Sequence, residues 1–333
     1  MRHVRMLGLC LVAVLAVCAY AVSSASALPE WGKCEAKAGG NYKDANCTEK
    51  AKPKGSGAYE WRKGETLTPV PFYGENVGSG GVLKSLARYC EYEDAKHINH
   101  EAGLVTRAKC AEDHGTEQGP IELNVECEKE FSNGESSGKA SVKAVSVKFK
   151  GCKAFGAPCS NTPAEGEIQI NALKGNLGYI SKSEHKVGIL LEPEHKKGEF
   201  AKFDCGGIYE VVVGVGNSKE GTWYVPGEEK HGGYDGVIGA ITPVNQMTEG
   251  FTEVYTMNPA TAENIPSKFE GKHIELLENY LYNNAAPNEP TQWSPAGEEI
   301  TNHAILCNPA KLEHAFDCNP EDIIEPESAE IKA

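Results

Sequence analysis

From residue 121 to residue 215 apolar and polar positions alternate with the period of a β-strand. Ala140, Val142, Ala144 and the small Ser146 share one face, and Val145, Val147 and Phe149 take over the apolar phase after Ala144. Successive strand side chains point to opposite faces. This pattern therefore predicts a half-buried strand with a phase slip at Ala144–Val145, as a bulge would produce. Upstream, Ile121, Leu123, Val125 and Cys127 alternate with Glu122, Asn124 and Glu126, a second strand. Between the two, Ser132-Asn133-Gly134 is a turn signal, because Asn-Gly accepts the positive φ values of a tight hairpin. Residues 167–170 and 173–180 predict two short strands parted by Asn171. Residues 187–191 and 208–215 are denser apolar runs, as expected of strands covered on both faces. No α/β alternation is visible. The expected fold class is mainly β: a disulfide-stapled antiparallel sandwich or partly open barrel with a small N-terminal disulfide hairpin.

Residues 1–27 break the pattern and have the form of a secretory signal peptide. Arg2 and Arg5 make a basic start, residues 6–22 an apolar run, and Ala25-Ser26-Ala27 a small-x-small cleavage site. Leu15-Ala16-Val17-Cys18 resembles a lipobox, but Val17 stands where a small residue is normally needed, so ordinary cleavage before Leu28 is expected. Cleavage leaves 306 residues (333 less 27) and removes two arginines, taking the net charge from −14 to −16. An acidic surface repels phosphate backbones, which argues against a nucleic-acid partner. No later apolar run approaches the ~20 residues of a membrane helix. A secreted or cell-surface location is the expectation.

Ten cysteines then remain, an even number that reads as up to five disulfides in an exported chain. Cys34–Cys47, Cys90–Cys110 and Cys307–Cys318 are expected as local bridges. Cys127, Cys152, Cys159 and Cys205 allow three connectivities among themselves, of which Cys152–Cys159 with Cys127–Cys205 is favoured. Residues 28–64 form a unit of their own: Trp31, Cys34, Tyr42, Cys47, Tyr59 and Trp61 lie among Gly, Lys and Ala, with Ala38-Gly39-Gly40-Asn41 expected at the hairpin tip and 51–57 as a linker. Their aromatics would suit sugar stacking, but packing of the hairpin against the main body (residues 65–333) is the simpler role.

Candidate chemistry is sparse. His97 and His100 stand three apart between Cys90 and Cys110, yet zinc needs a third ligand and a fixed scaffold, so a solvated loop is expected and no metal. Gly134-Glu135-Ser136-Ser137-Gly138 matches the nucleophile elbow letter for letter. The elbow works only where a strand turns into a helix, and here a β-alternating run follows. A glycosidase would need two carboxylates about 5–10 Å apart, and 47 Asp and Glu spread evenly single out no pair. Asn46-Cys47-Thr48 matches the glycosylation pattern only weakly, with Cys47 expected in a bridge. Glu184-His185-Lys186 recurs as Glu194-His195-Lys196, which would suit two arms of one hairpin as well as chance. No cofactor is implied.

An ordered series of short motifs runs along the chain: Val147-Lys148-Phe149-Lys150-Gly151-Cys152, Pro158-Cys159, Ala164-Glu165-Gly166-Glu167-Ile168 and Leu173-Lys174-Gly175-Asn176-Leu177-Gly178. Phe203-Asp204-Cys205-Gly206-Gly207, Ile241-Thr242-Pro243-Val244-Asn245 and the closing Glu330-Ile331-Lys332-Ala333 continue it. With the Trp31-to-Trp61 unit, this series resembles a family of exported, uncharacterised, β-rich actinobacterial proteins. The resemblance covers most of the mature chain and brings no catalytic residue or ligand. It implies a strand at residues 272–282, where Ile274, Leu277 and Leu281 would equally fit a helical stripe. The chain departs from the family pattern at residues 216–236 and 283–320, which look inserted; the second holds Cys307 and Cys318, with one helical turn expected at 311–316. Inserted surface loops are where binding is commonly carried, so Trp223, Tyr224 and His231 are the candidate ligand-binding residues. The expected function is non-catalytic binding of an unknown extracellular or cell-wall component through surface loops. The alternative is a secreted polysaccharide-acting hydrolase whose carboxylate pair is hidden.

Overall fold

A computed structural model describes residues 28–67, 69–77, 85–89, 121–195, 199–216, 236–257, 264–274, 276–283, 292–295, 300–308, 318 and 326–333. Among these the chain is mainly strand, with one 3-10 turn at Gly64–Thr66 and no α-helix. Eight strands close a barrel: β1 (Pro71–Asn76), β2 (Lys129–Ser137), β3 (Ser141–Lys150), β4 (Leu173–Ser181), β5 (Lys186–Pro193), β6 (Val237–Thr242), β7 (Gly250–Met257) and β8 (Ile300–Leu306). Each pairs antiparallel with the next in chain order, and β8 returns to β1. The barrel is thus closed and runs up and down, which leaves no free edge along it.

The connections between barrel strands build the rest. An eight-stranded sheet curls into half a barrel in the order Gln292–Pro295, Leu276–Asn283, Tyr209–Gly216, Glu199–Cys205, Ala157–Ser160, Lys153–Ala154, Ile121–Glu126, Ser85–Tyr89. Residues 276–283 are therefore strand, as the family resemblance implied. The N-terminal hairpin, Glu30–Gly40 with Gly57–Lys63, gains a third strand from the C-terminal Glu330–Lys332. Trp31 anchors this small sheet on the barrel, meeting Phe251 edge-on with ring centres 5.2 Å apart. Lys33 pairs with Glu327 across the same junction.

Alternation along the strands explains where the core sits. Phe72, Val142, Val145, Leu177, Ile189, Leu191, Ile241 and Phe251 point inward and fill the barrel. A second core under the half-barrel joins it at Val147, Ile170 and Val213. Residues 187–191 are all buried because Leu190, with Ile238, is covered on the outside by Phe269 and Ile274. The phase slip in β3 is a bulge. Val142 and Val145 both face inward, Ala144 takes a φ of +52°, and the register shifts against both neighbours.

Some expectations are corrected. Ser132-Asn133-Gly134 is not a turn but the middle of β2, and the β2–β3 turn falls at Lys139, flanked by the paired Ser137 and Ser141. Gly134 is needed there for space: a Cβ would lie 2.6 Å from the Phe72 ring. Ala38-Gly39-Gly40-Asn41 is likewise not a hairpin tip, since the strand runs on through Gly40, which pairs with Gly57. The two Glu-His motifs sit at opposite ends of β5, not on two arms of a hairpin. Lys196 and residues 311–316 lie outside the described residues.

Cys34–Cys47 and Cys307–Cys318 are bridged as expected. The favoured pairing of the central four is overturned: the bridges are Cys127–Cys152 and Cys159–Cys205. The register explains why. Cys205 stands opposite Cys159, the Cys159 N–H donates to the Cys152 carbonyl, and Glu126 pairs with Lys153 just before Cys127 meets Cys152. All four lie in one row across four adjacent strands. The outer two are three strand spacings apart, roughly 14 Å, twice what a disulfide spans. Cys90 and Cys110 lie outside the described residues.

Candidate functional site

One end of the barrel interior is polar. Glu253 on β7 stands opposite Asn302 on β8, which stands opposite Asn76 on β1. Glu130 on β2 completes the row, its backbone N–H donating to Asn76 Oδ1 at 2.9 Å. These positions continue the inward faces of Phe251, Ala304 and Phe72, so sheet periodicity carries four polar side chains to the inside. Glu130 (4% exposed), Asn302 (4%) and Glu253 (8%) are buried. Gly74 makes the room: a Cβ there would lie 2.4 Å from Ser132 Oγ and 2.7 Å from the Asn302 amide.

The groups form a partly closed network. Asn302 Nδ2 donates to Ser132 Oγ at 2.9 Å, and the Tyr255 hydroxyl donates to Glu253 Oε2 at 2.8 Å. Burial pushes the Glu130 carboxyl up to about 8; the nearby Glu253 pushes the same way, and the Ser132 hydroxyl opposes both. Glu253 is also raised by burial, against hydrogen bonds from Tyr255 and Asn302. Burial likewise raises Tyr255, which the Glu253 carboxylate raises further. Among the described residues, Glu130 Oε2 and Asn302 Oδ1 have no hydrogen-bond partner.

A second buried carboxyl lies in the small terminal sheet. Glu330 is buried with neither oxygen hydrogen-bonded among the described residues, and burial lifts it to about 7, although Lys332, 3.9 Å away, pulls it down. Lys332 lies over the rings of Trp61 and Tyr42, at 4.3 and 4.7 Å, and donates to the Cys47 carbonyl at 2.6 Å. The group clamps the C-terminal strand to the N-terminal hairpin.

The surface carries a different feature. Phe155 and Gly156 link the strands Lys153–Ala154 and Ala157–Ser160, with φ of +51° and +80°, both positive as a type I′ turn requires. Phe155 is 64% exposed. In the adjoining turn, Gly206 donates to the Pro158 carbonyl at 3.0 Å, and Ile208 is 52% exposed. Cys159–Cys205 staples the two turns together just below these tips, and Cys127–Cys152 ties the first to the next strand.

The cysteines come together as four described bridges, while Trp223, Tyr224 and His231 lie outside the described residues, as do His97 and His100. The elbow-like Gly134–Gly138 stretch lies in β2 and the turn after it, with no helix following, so the serines there have no elbow setting. Among the described residues no group of three or more His, Cys, Asp and Glu is gathered to hold a metal, and no helix is long and apolar enough to cross a membrane. Sequence reasoning missed Glu130, Glu253 and Asn302. The available signal was phase for two of them: Glu253 shares the parity of Phe251 and Tyr255, and Asn302 that of Ala304 and Leu306, whereas Glu130 shares its parity with Ser132 and Gly134 and carries no such mark. The chain matches no family model, no curated protein and no solved structure.

Proposed function

We propose that this is an exported, non-catalytic protein that binds an extracellular or cell-wall partner through surface loops. The observation that carries this reading is the exposed Phe155. A bulky side chain at positive φ costs roughly 1–2 kcal/mol, and an exposed ring recovers little of that by burial. Neighbouring Ile208 adds apolar surface, and the two disulfides hold both tips rigid, which lowers the entropy lost on binding. The filled barrel suits a scaffold role, since its lumen is occupied by its own side chains. A pull-down and glycan-array screen of the mature chain, beside a Phe155→Asn/Ile208→Asn variant, tests the reading. Binding retained in full by the folded variant would remove these tips from the proposal.

A second reading, a polysaccharide hydrolase, draws on Glu130 and Glu253, two carboxyls whose charges interact at one barrel end. A raised carboxyl beside a second one is the arrangement of a general acid and its partner. Their burial counts against it, because a glycan must reach both groups. Polysaccharide turnover abolished by Glu253→Gln would establish this reading over the first.

A further inference from the structure

We propose that the polar row at the barrel end binds one calcium ion, with Glu130, Glu253, Asn302 and Ser132 as its protein ligands. Every available donor is oxygen, the set a hard cation takes, and calcium tolerates irregular shells of six to eight ligands completed by water. Two carboxylates match the double positive charge. The independent pointer is the neutral Asn302: its Nδ2 donates to Ser132 Oγ, while its Oδ1, buried with the rest of the residue, has no hydrogen-bond partner among the described residues. Glu130 Oε2, in the same row, likewise has no partner among the described residues. Buried acceptors without donors are rare in folded chains, and two in one row are served either by a shared proton or by a cation, which the test below separates.

Among the described residues, no Lys or Arg is set against either carboxyl. Asn76 and Tyr255, at the same end of the barrel, are only half-buried. A disulfide-bonded chain outside the cell would meet millimolar calcium, the range in which extracellular modules bind it, with Kd on the order of 10⁻⁴–10⁻³ M.

The test uses the full mature chain at about pH 8. Thermal unfolding is followed against calcium chloride up to about 5 mM, with equilibrium dialysis to count ions. One ion per chain and a rise in Tm of about 3 °C are expected. Glu130→Gln, which keeps the shape and removes the charge, should lose both responses, and the exposed Glu184→Gln should keep them. No bound ion, a flat Tm or an undiminished response in Glu130→Gln would overturn the proposal. Should Glu130→Gln not fold, terbium luminescence of the wild type decides: a signal sensitised by Tyr255, displaced by calcium and lost in Tyr255→Phe supports the site, and its absence refutes it.

Discussion

Phe155 holds a conformation that suits glycine or asparagine far better than phenylalanine. Its φ of +51° puts Cβ against the backbone, and at 64% exposure little packing offsets the strain. Phe155→Asn is therefore expected to stabilise the chain by about 1 kcal/mol, read as a higher urea midpoint at unchanged slope. A lower midpoint would mean that the ring packs on its neighbours and is not held out for a partner. Gly134 teaches the complementary lesson at this scale. It follows Asn133 as a turn glycine would, yet it is retained because the Phe72 ring fills the place of a side chain. Identity alone does not separate a glycine needed for its backbone from one needed for its emptiness.

Strand register is the organising fact one level up. It aligns four cysteines in one row and four polar side chains in another, each contributed by a different strand. Cys159–Cys205 closes a 46-residue loop and Cys307–Cys318 an 11-residue one. Loop entropy makes the longer bridge worth roughly 4 kcal/mol, about 1 more than the shorter. Replacing Cys159 and Cys205 by serine should lower the stability by about that amount, measured by chemical denaturation against the Cys307/Cys318 double serine variant. Equal losses would mean that the loops are already restricted in the unfolded chain. Peptide mapping without reduction checks the connectivity directly.

Across the whole molecule, buried carboxyls tie stability to pH. Glu130, raised to about 8, and Glu330, raised to about 7, keep protons that the unfolded chain has already released above its ordinary carboxyl range. The folded state then binds more protons than the unfolded one, so stability falls as pH climbs from about 5 to about 8 and levels off above. Asp44 works the other way. Desolvation of the group tends to raise it, but hydrogen bonds from Glu49, Thr48 and Asn46 hold it down at about 2, so its contribution is lost only as pH drops below about 4. Calorimetry without calcium should find a higher Tm near pH 5 than near pH 8, and Glu130→Gln should narrow the gap. A Tm that rises over that interval would show that these carboxyls ionise freely in the folded chain.

Much of this molecule can be read from residue order. The alternation in residues 140–149, its slip at Ala144 and the dense run at 187–191 specify strands, a bulge and a strand covered on both faces, because side-chain direction in a strand depends only on local parity. The bridges Cys34–Cys47 and Cys307–Cys318 are legible for a related reason: short loops keep their ends close whatever the rest does. Closure of the barrel, the split of the four central cysteines and the meeting of Glu130 with Glu253 depend instead on which strands become neighbours and in what register. Those relations join residues up to 234 apart, as between Phe72 and Leu306 where the barrel closes, and no local preference encodes them. Parity could mark Glu253 as an inward polar residue; only the closed barrel, by curving β7, β8, β1 and β2 around one lumen, makes it the partner of Glu130.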